Sequence, residues 1–175
     1  RVVDKAPSQG QFDAGLQATV EAMFRHCQRH TATGQCAPDS PVATHLGDRA
    51  SVLGSRLMQT GHPMATPLLT MAAGWSPGVA KVLNNLAANL LHRGLAKEAY
   101  QLCKRVQQEH PNYRKIERTA ARAALLSGEP EKALQHAKHY LQGQGSNLAT
   151  SKWLEELAKL AADSNTARRL RDLRK

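Results

Sequence analysis

The sequence predicts an all-α protein built from antiparallel helix pairs stacked side by side, and three observations predict it. Aromatic residues make up 4% of the chain against 41% hydrophobic residues overall, so the interior is assembled mostly from Leu, Ala, Val and Met. Cores of this kind let helices approach closely and favour helix over strand. Apolar residues recur at helical spacing along most of the chain. From Ser76 onward the pattern also repeats: Gly94 and Gly128, Ala99 and Ala133, and Ala87 and Ala121 each stand 34 residues apart.

The elements follow in order. Residues 1–10, with Pro7, Ser8 and Gly10, read as a flexible lead-in, and 11–79 as an N-terminal helical region. Phe12, Leu16, Val20, Met23, Phe24 and Cys27 share one face of an amphipathic helix over 11–30. After a loop through Gly34 and Pro38, Ser40-Pro41 supplies an N-cap and a first-turn proline for a helix to Thr60. Gly61 ends it. His62-Pro63 starts a shorter helix that Pro67 would kink or restart and Gly74 closes, and Ser76-Pro77 opens the next by the same capping logic. Gly94 and Gly128 each stop one helix before its antiparallel partner. Ala99 and Ala133 fall where a large side chain would hold the pair apart. Leu148–Asp163 is a further helix with Trp153, Leu154, Leu157, Leu160 and Ala161 inward, followed by a basic helix from Asn165 to Leu173. Residues 148–175 thus read as a solvating end cap.

Charge is uneven. Residues 1–80 carry 6 basic and 5 acidic side chains, whereas 81–175 carry 18 and 9. A basic half admits nucleic acid, an anionic membrane surface or an acidic protein as partner. No run of apolar residues is long enough for a transmembrane helix. Cys27 and Cys36 flank a short polar segment and would fit a disulfide closing a loop in an oxidising compartment; two unrelated free thiols would look the same. The chain opens at Arg1 with neither Met nor signal sequence, as expected of a piece trimmed from a longer protein.

Residues 80–113 resemble a tetratricopeptide repeat. Leu83, Leu86, Ala87 and Leu90 mark a first helix, Gly94 the turn, Ala99, Cys103 and Val106 a second helix, and Pro111 the end of the unit. Residues 114–147 are similar but degenerate, keeping Ala121, Gly128, Ala133 and Tyr140 while placing Glu117, Ala120 and Ala124 where larger apolar groups are usual. A third unit over 46–79 would use Leu46, Leu53, Leu57 and Gly61. The resemblance implies a short right-handed solenoid and a non-enzymatic adaptor that binds a protein segment on its concave face. That face takes Lys81, Asn84, Asn85, Ala88 and Leu91 from one unit and Lys115, Arg118, Arg122 and Leu125 from the next. The spacing of Lys115, Arg118 and Arg122 independently puts them on one helical stripe. Asn amides beside fixed cations suit a carboxylate-bearing peptide. Together with a Cys27–Cys36 bridge, the habits of such repeats imply a periplasmic setting in bacterial secretion, pilus or envelope assembly; otherwise the compartment is cytoplasmic.

Competing chemistries carry less. His26 and His30 share a helix face near Cys27 and Cys36, yet the set lacks the paired spacing of a zinc site, so no metal and no cofactor is expected. There is no Gly-x-Ser-x-Gly turn and no phosphate loop. Glu155 and Glu156 are adjacent, diverge on a helix, and read as a solvated face rather than an acid/base dyad. Arg168, Arg169, Arg171, Arg174 and Lys175 form a basic cluster without interleaved aromatics, so a nucleic-acid-binding repeat is the alternative to the adaptor.

Overall fold

The computed structural model describes residues 37–144 and 147–173, together with positions 14, 15, 18, 19, 22, 23, 25 and 29. These scattered N-terminal positions are helical, within the helix expected over 11–30, and Met23 packs against the first core cluster of the helices that follow. From Pro41 onward the described residues form eight α-helices and no strand. They are α1 (Pro41–Gln59), α2 (Ala65–Trp75), α3 (Ala80–His92), α4 (Ala96–Glu109), α5 (Ile116–Leu126), α6 (Pro130–Gln144), α7 (Leu148–Lys159) and α8 (Ser164–Asp172). Sequential pairs pack as hairpins: α1 on α2, α3 on α4, α5 on α6, α7 on α8. The first helices of the leading hairpins also meet, α1 touching α3 and α3 touching α5, and the last hairpin joins through α6, which touches both α7 and α8, so the hairpins stack.

Local chemistry sets the boundaries. Ser40 caps α1, its Oγ accepting from the Ala43 N–H at 3.3 Å with Pro41 in the first turn. Gly61, Gly94 and Gly128 adopt φ of 69°, 75° and 80° directly after α1, α3 and α5. Behind each, two backbone bonds close the end in the same way. Gly94 donates to Leu91 and Leu95 to Leu90, while Gly128 donates to Leu125 and Glu129 to Ala124. Asn147 and Thr150 form a reciprocal capping box on α7, and Asp163 accepts from the Thr166 N–H on α8.

The core divides into two apolar clusters. One lies among α1, α2 and the start of α3 and includes Leu57, Leu68 and Val82; the larger runs from Leu83 through Leu170. Ala87, Ala99, Ala121 and Ala133 are fully buried, as their 34-residue recurrence requires. Ala167 continues the series one period beyond Ala133 and is buried as well. The terminal α7–α8 pair is therefore a hairpin in the same register, not only a cap.

The structure corrects four local expectations. Pro67 does not interrupt α2, because it occupies the first turn, where a missing N–H removes no helical bond. Gly74 does not close that helix, which runs on to Trp75. Ser76 is not an N-cap: it is fully buried, its hydroxyl aimed at the Ala43 and Thr44 carbonyls of α1, and α3 starts at Ala80. Leu160 is 38% exposed and Ala161 half-buried, since α7 ends at Lys159 and both lie just past it.

Candidate functional site

The first helices α3, α5 and α7 enclose an open cleft of about 410 Å³. Its α3 wall is Ala88, Leu91 and His92; α5 supplies Arg118, Thr119 and Arg122 from the middle; α7 adds Trp153, Glu156 and Leu157, with Leu160 just past its end. Leu91, Trp153 and Leu157 are buried and make an apolar floor, while Arg118, Arg122 and Glu156 are exposed at its edge. The helical stripe explains the cations: Arg118 and Arg122, four residues apart, project from one face of α5. Arg118 lies over the Trp153 indole, 5.8 Å from the ring centroid, which pins its guanidinium across to α7. Among the described residues, neither Arg122 nor Glu156 has a salt-bridge partner.

The other residues expected on this face are placed differently. Asn84 accepts a hydrogen bond from the Thr119 hydroxyl at 2.7 Å, joining α3 to α5 behind the cleft edge. Asn85 donates to Ser51 Oγ at 2.8 Å, and Lys81 pairs with Asp48 at 2.9 Å, so both serve the α1–α3 seam. Lys115 stands at the residue before α5 and makes no side-chain capping bond, and Leu125 is buried; neither lines the cleft. The structure thus brings Arg118 and Arg122 together with Ala88 and Leu91, and gives the two asparagines and Lys81 to helix–helix contacts.

The α7 wall is what sequence reasoning missed. Glu156 reads as a solvated carboxylate and Trp153 as plain core until the 34-residue period is carried forward. Ala88, Arg122 and Glu156 are spaced by that period and all three line the cleft. The period was the signal.

A polar cluster on the other helices has a different character. His136 Nδ1 donates to Glu117 Oε2 at 2.7 Å, Gln107 Nε2 donates to Glu117 Oε1 at 2.9 Å, and the Tyr100 hydroxyl meets His136 Nε2 at 3.2 Å. This ties α4, α5 and α6 together and explains how α5 tolerates Glu117 at a position where an apolar residue is expected. Burial alone would raise the Glu117 carboxyl, but the bonds from His136 and Gln107 outweigh it and hold it below the ordinary range. Nearby Cys103 is fully buried, and burial, with the Glu117 charge adding, pushes its thiol up to about 12. It is a core residue without thiolate character at neutral pH.

Arg169 pairs with Glu131 of α6 and Arg171 with Glu155 of α7, and Arg168 donates to Asn165. Arg174 and Lys175 lie outside the described residues, as do His26, Cys27, His30 and Cys36, so the disulfide expectation and the histidine–cysteine set are not described structurally. Among the described residues no group of three or more His, Cys, Asp or Glu side chains is arranged to hold a metal, and no helix is long and apolar enough to cross a membrane. No protein-family model and no curated protein matches this chain.

Proposed function

We propose that the protein is a non-enzymatic adaptor of the tetratricopeptide-repeat kind, holding a carboxylate-bearing peptide segment of another protein across α3, α5 and α7. The observation that carries this reading is the pair of exposed guanidiniums, Arg118 and Arg122, set beside an apolar floor in an open cleft. Both cations project from a rigid helix, so binding orders less chain than it would on a loop. Guanidinium–carboxylate bonds supply orientation, and burial of an apolar ligand side chain against Leu91, Trp153 and Leu157 supplies area.

The pairing of Arg169 and Arg171 with glutamates favours a structural role for the C-terminal basic cluster over phosphate binding. A nucleic-acid reading requires a gel shift with RNA or DNA that weakens steeply with salt, and we expect none at low salt. An envelope location rests on a Cys27–Cys36 bridge; two freely alkylated thiols in unreduced protein from its native compartment would remove it.

The test is calorimetric titration of short synthetic peptides carrying one Glu and one Leu. Arg122→Ala should weaken binding by about 1.5–3 kcal/mol if the contact is desolvated, and by under about 1 kcal/mol at the rim. Lys115→Ala, outside the cleft, should do less than Arg122→Ala. If only changes at Arg168 and Arg169 weaken binding, the cleft is not the site.

A further inference from the structure

The cleft is not uniformly basic, and its opposite charge stands at a fixed place. Arg122 and Glu156 hold the same register position on neighbouring first helices, one period apart, with the apolar floor between their helices. Ala88, at that position on α3, carries no charge. Moving across the stack, an extended ligand therefore meets a neutral helix, then a cation, then a carboxylate. Helices in direct contact lie about 8–10 Å apart, α5 and α7 face each other across the cleft with Arg118 reaching over to Trp153, and an extended chain advances about 3.3 Å per residue, so the step from α5 to α7 takes at least three residues.

We infer that the cleft reads a charge spacing: its occupant is an extended segment with an acidic side chain over α5 and a basic side chain, Lys or Arg, three or four residues away over α7. An apolar residue between them covers Trp153 and Leu157. This rests on the adaptor reading above and adds the pattern that the segment must carry. Glu156 is the specificity element. It would repel a run of acidic residues, and equally a nucleic-acid backbone, at the α7 wall, where Arg118 and Arg122 alone would accept either.

The experiment uses nine-residue peptides with one Glu fixed at the centre, one neighbouring Leu, and a single Lys moved through every other position. Binding is read by Trp153 emission in protein carrying Trp75→Phe, since Trp75 and Trp153 are the two tryptophans of the chain. The expected result is an optimum with Lys three or four residues from Glu on one side, about two- to fivefold tighter than with Lys adjacent to Glu. Glu156→Gln should abolish that optimum while leaving dependence on Arg122, and Glu156→Lys should move the preference to a second Glu there. Peptides that bind through Arg122 with no preference for the Lys position, or with the same preference in Glu156→Gln, would overturn this inference and leave the adaptor reading standing. Failure of every peptide to bind would overturn both.

Discussion

Gly47 and Gly54 let α1 lie close on α2. A methyl group at Gly47 would come within 2.9 Å of Ser76 Cβ, and one at Gly54 within 2.7 Å of Leu69 Cγ. Alanine gains about 1 kcal/mol of helix propensity over glycine, but overpacking a fixed contact costs about 1–3 kcal/mol. We therefore expect Gly47→Ala to lower the urea midpoint, with Ser76 held in place by its buried bonds to α1. Gly74 is the control with opposite sign: it lies in α2 with open space around its Cβ direction, and Gly74→Ala should raise the midpoint, stabilising the fold by up to about 1 kcal/mol. Ala99, fully buried between paired helices, tests the register itself; retained stability in Ala99→Phe would refute it. Glu117, half-buried and bonded on both carboxylate oxygens, contributes a pH dependence. Its carboxyl is held low in the folded state, so its contribution is present above the unfolded value, about 4.3, and is lost as the pH falls through the lower folded value. Urea midpoints should fall in that acid window, and Glu117→Gln should flatten the fall; an unchanged profile would show that another carboxylate dominates.

At the scale of the element, the same dipeptide has two outcomes. Ser40-Pro41 starts a helix because the serine hydroxyl reaches its own third-residue N–H. Ser76-Pro77 does not, because α1 packs against Ser76 and takes its hydroxyl. The difference is a long-range contact between residues more than thirty positions apart, which no local reading of the sequence contains. The helix ends were legible wherever glycine alone decides them. Gly94 sits at positive φ with open space around it, so Gly94→Ala fails for backbone reasons only and should cost about 1–2 kcal/mol, measured by denaturant unfolding. Gly61 and Gly128 predict the same loss. The Asn147 capping box adds a separate case, in which Asn147→Ala should cost about 1 kcal/mol and fray the start of α7, the helix that carries Trp153 and Glu156.

At the scale of the molecule, repetition does the organising. A period of 34 residues places small side chains between paired helices and brings α3, α5 and α7 to one cleft. The all-α stacked architecture was readable from that period and from the scarcity of aromatics. Half of the cleft was readable too, since Arg118 and Arg122 follow from helical spacing on α5. The asparagines were not, because a polar side chain on a first helix serves either a ligand or the next helix, and Asn84 and Asn85 bond to Thr119 and Ser51. Glu156 and Trp153 escaped because α7 looks like a cap when taken alone. Binding in this cleft is read out by Trp153 emission in Trp75→Phe protein titrated with a Glu- and Leu-containing peptide. We expect a saturable change that weakens in Arg122→Ala and persists in Arg168→Ala. Saturable binding measured calorimetrically with no change at Trp153, or the same curve in Arg122→Ala, would contradict it.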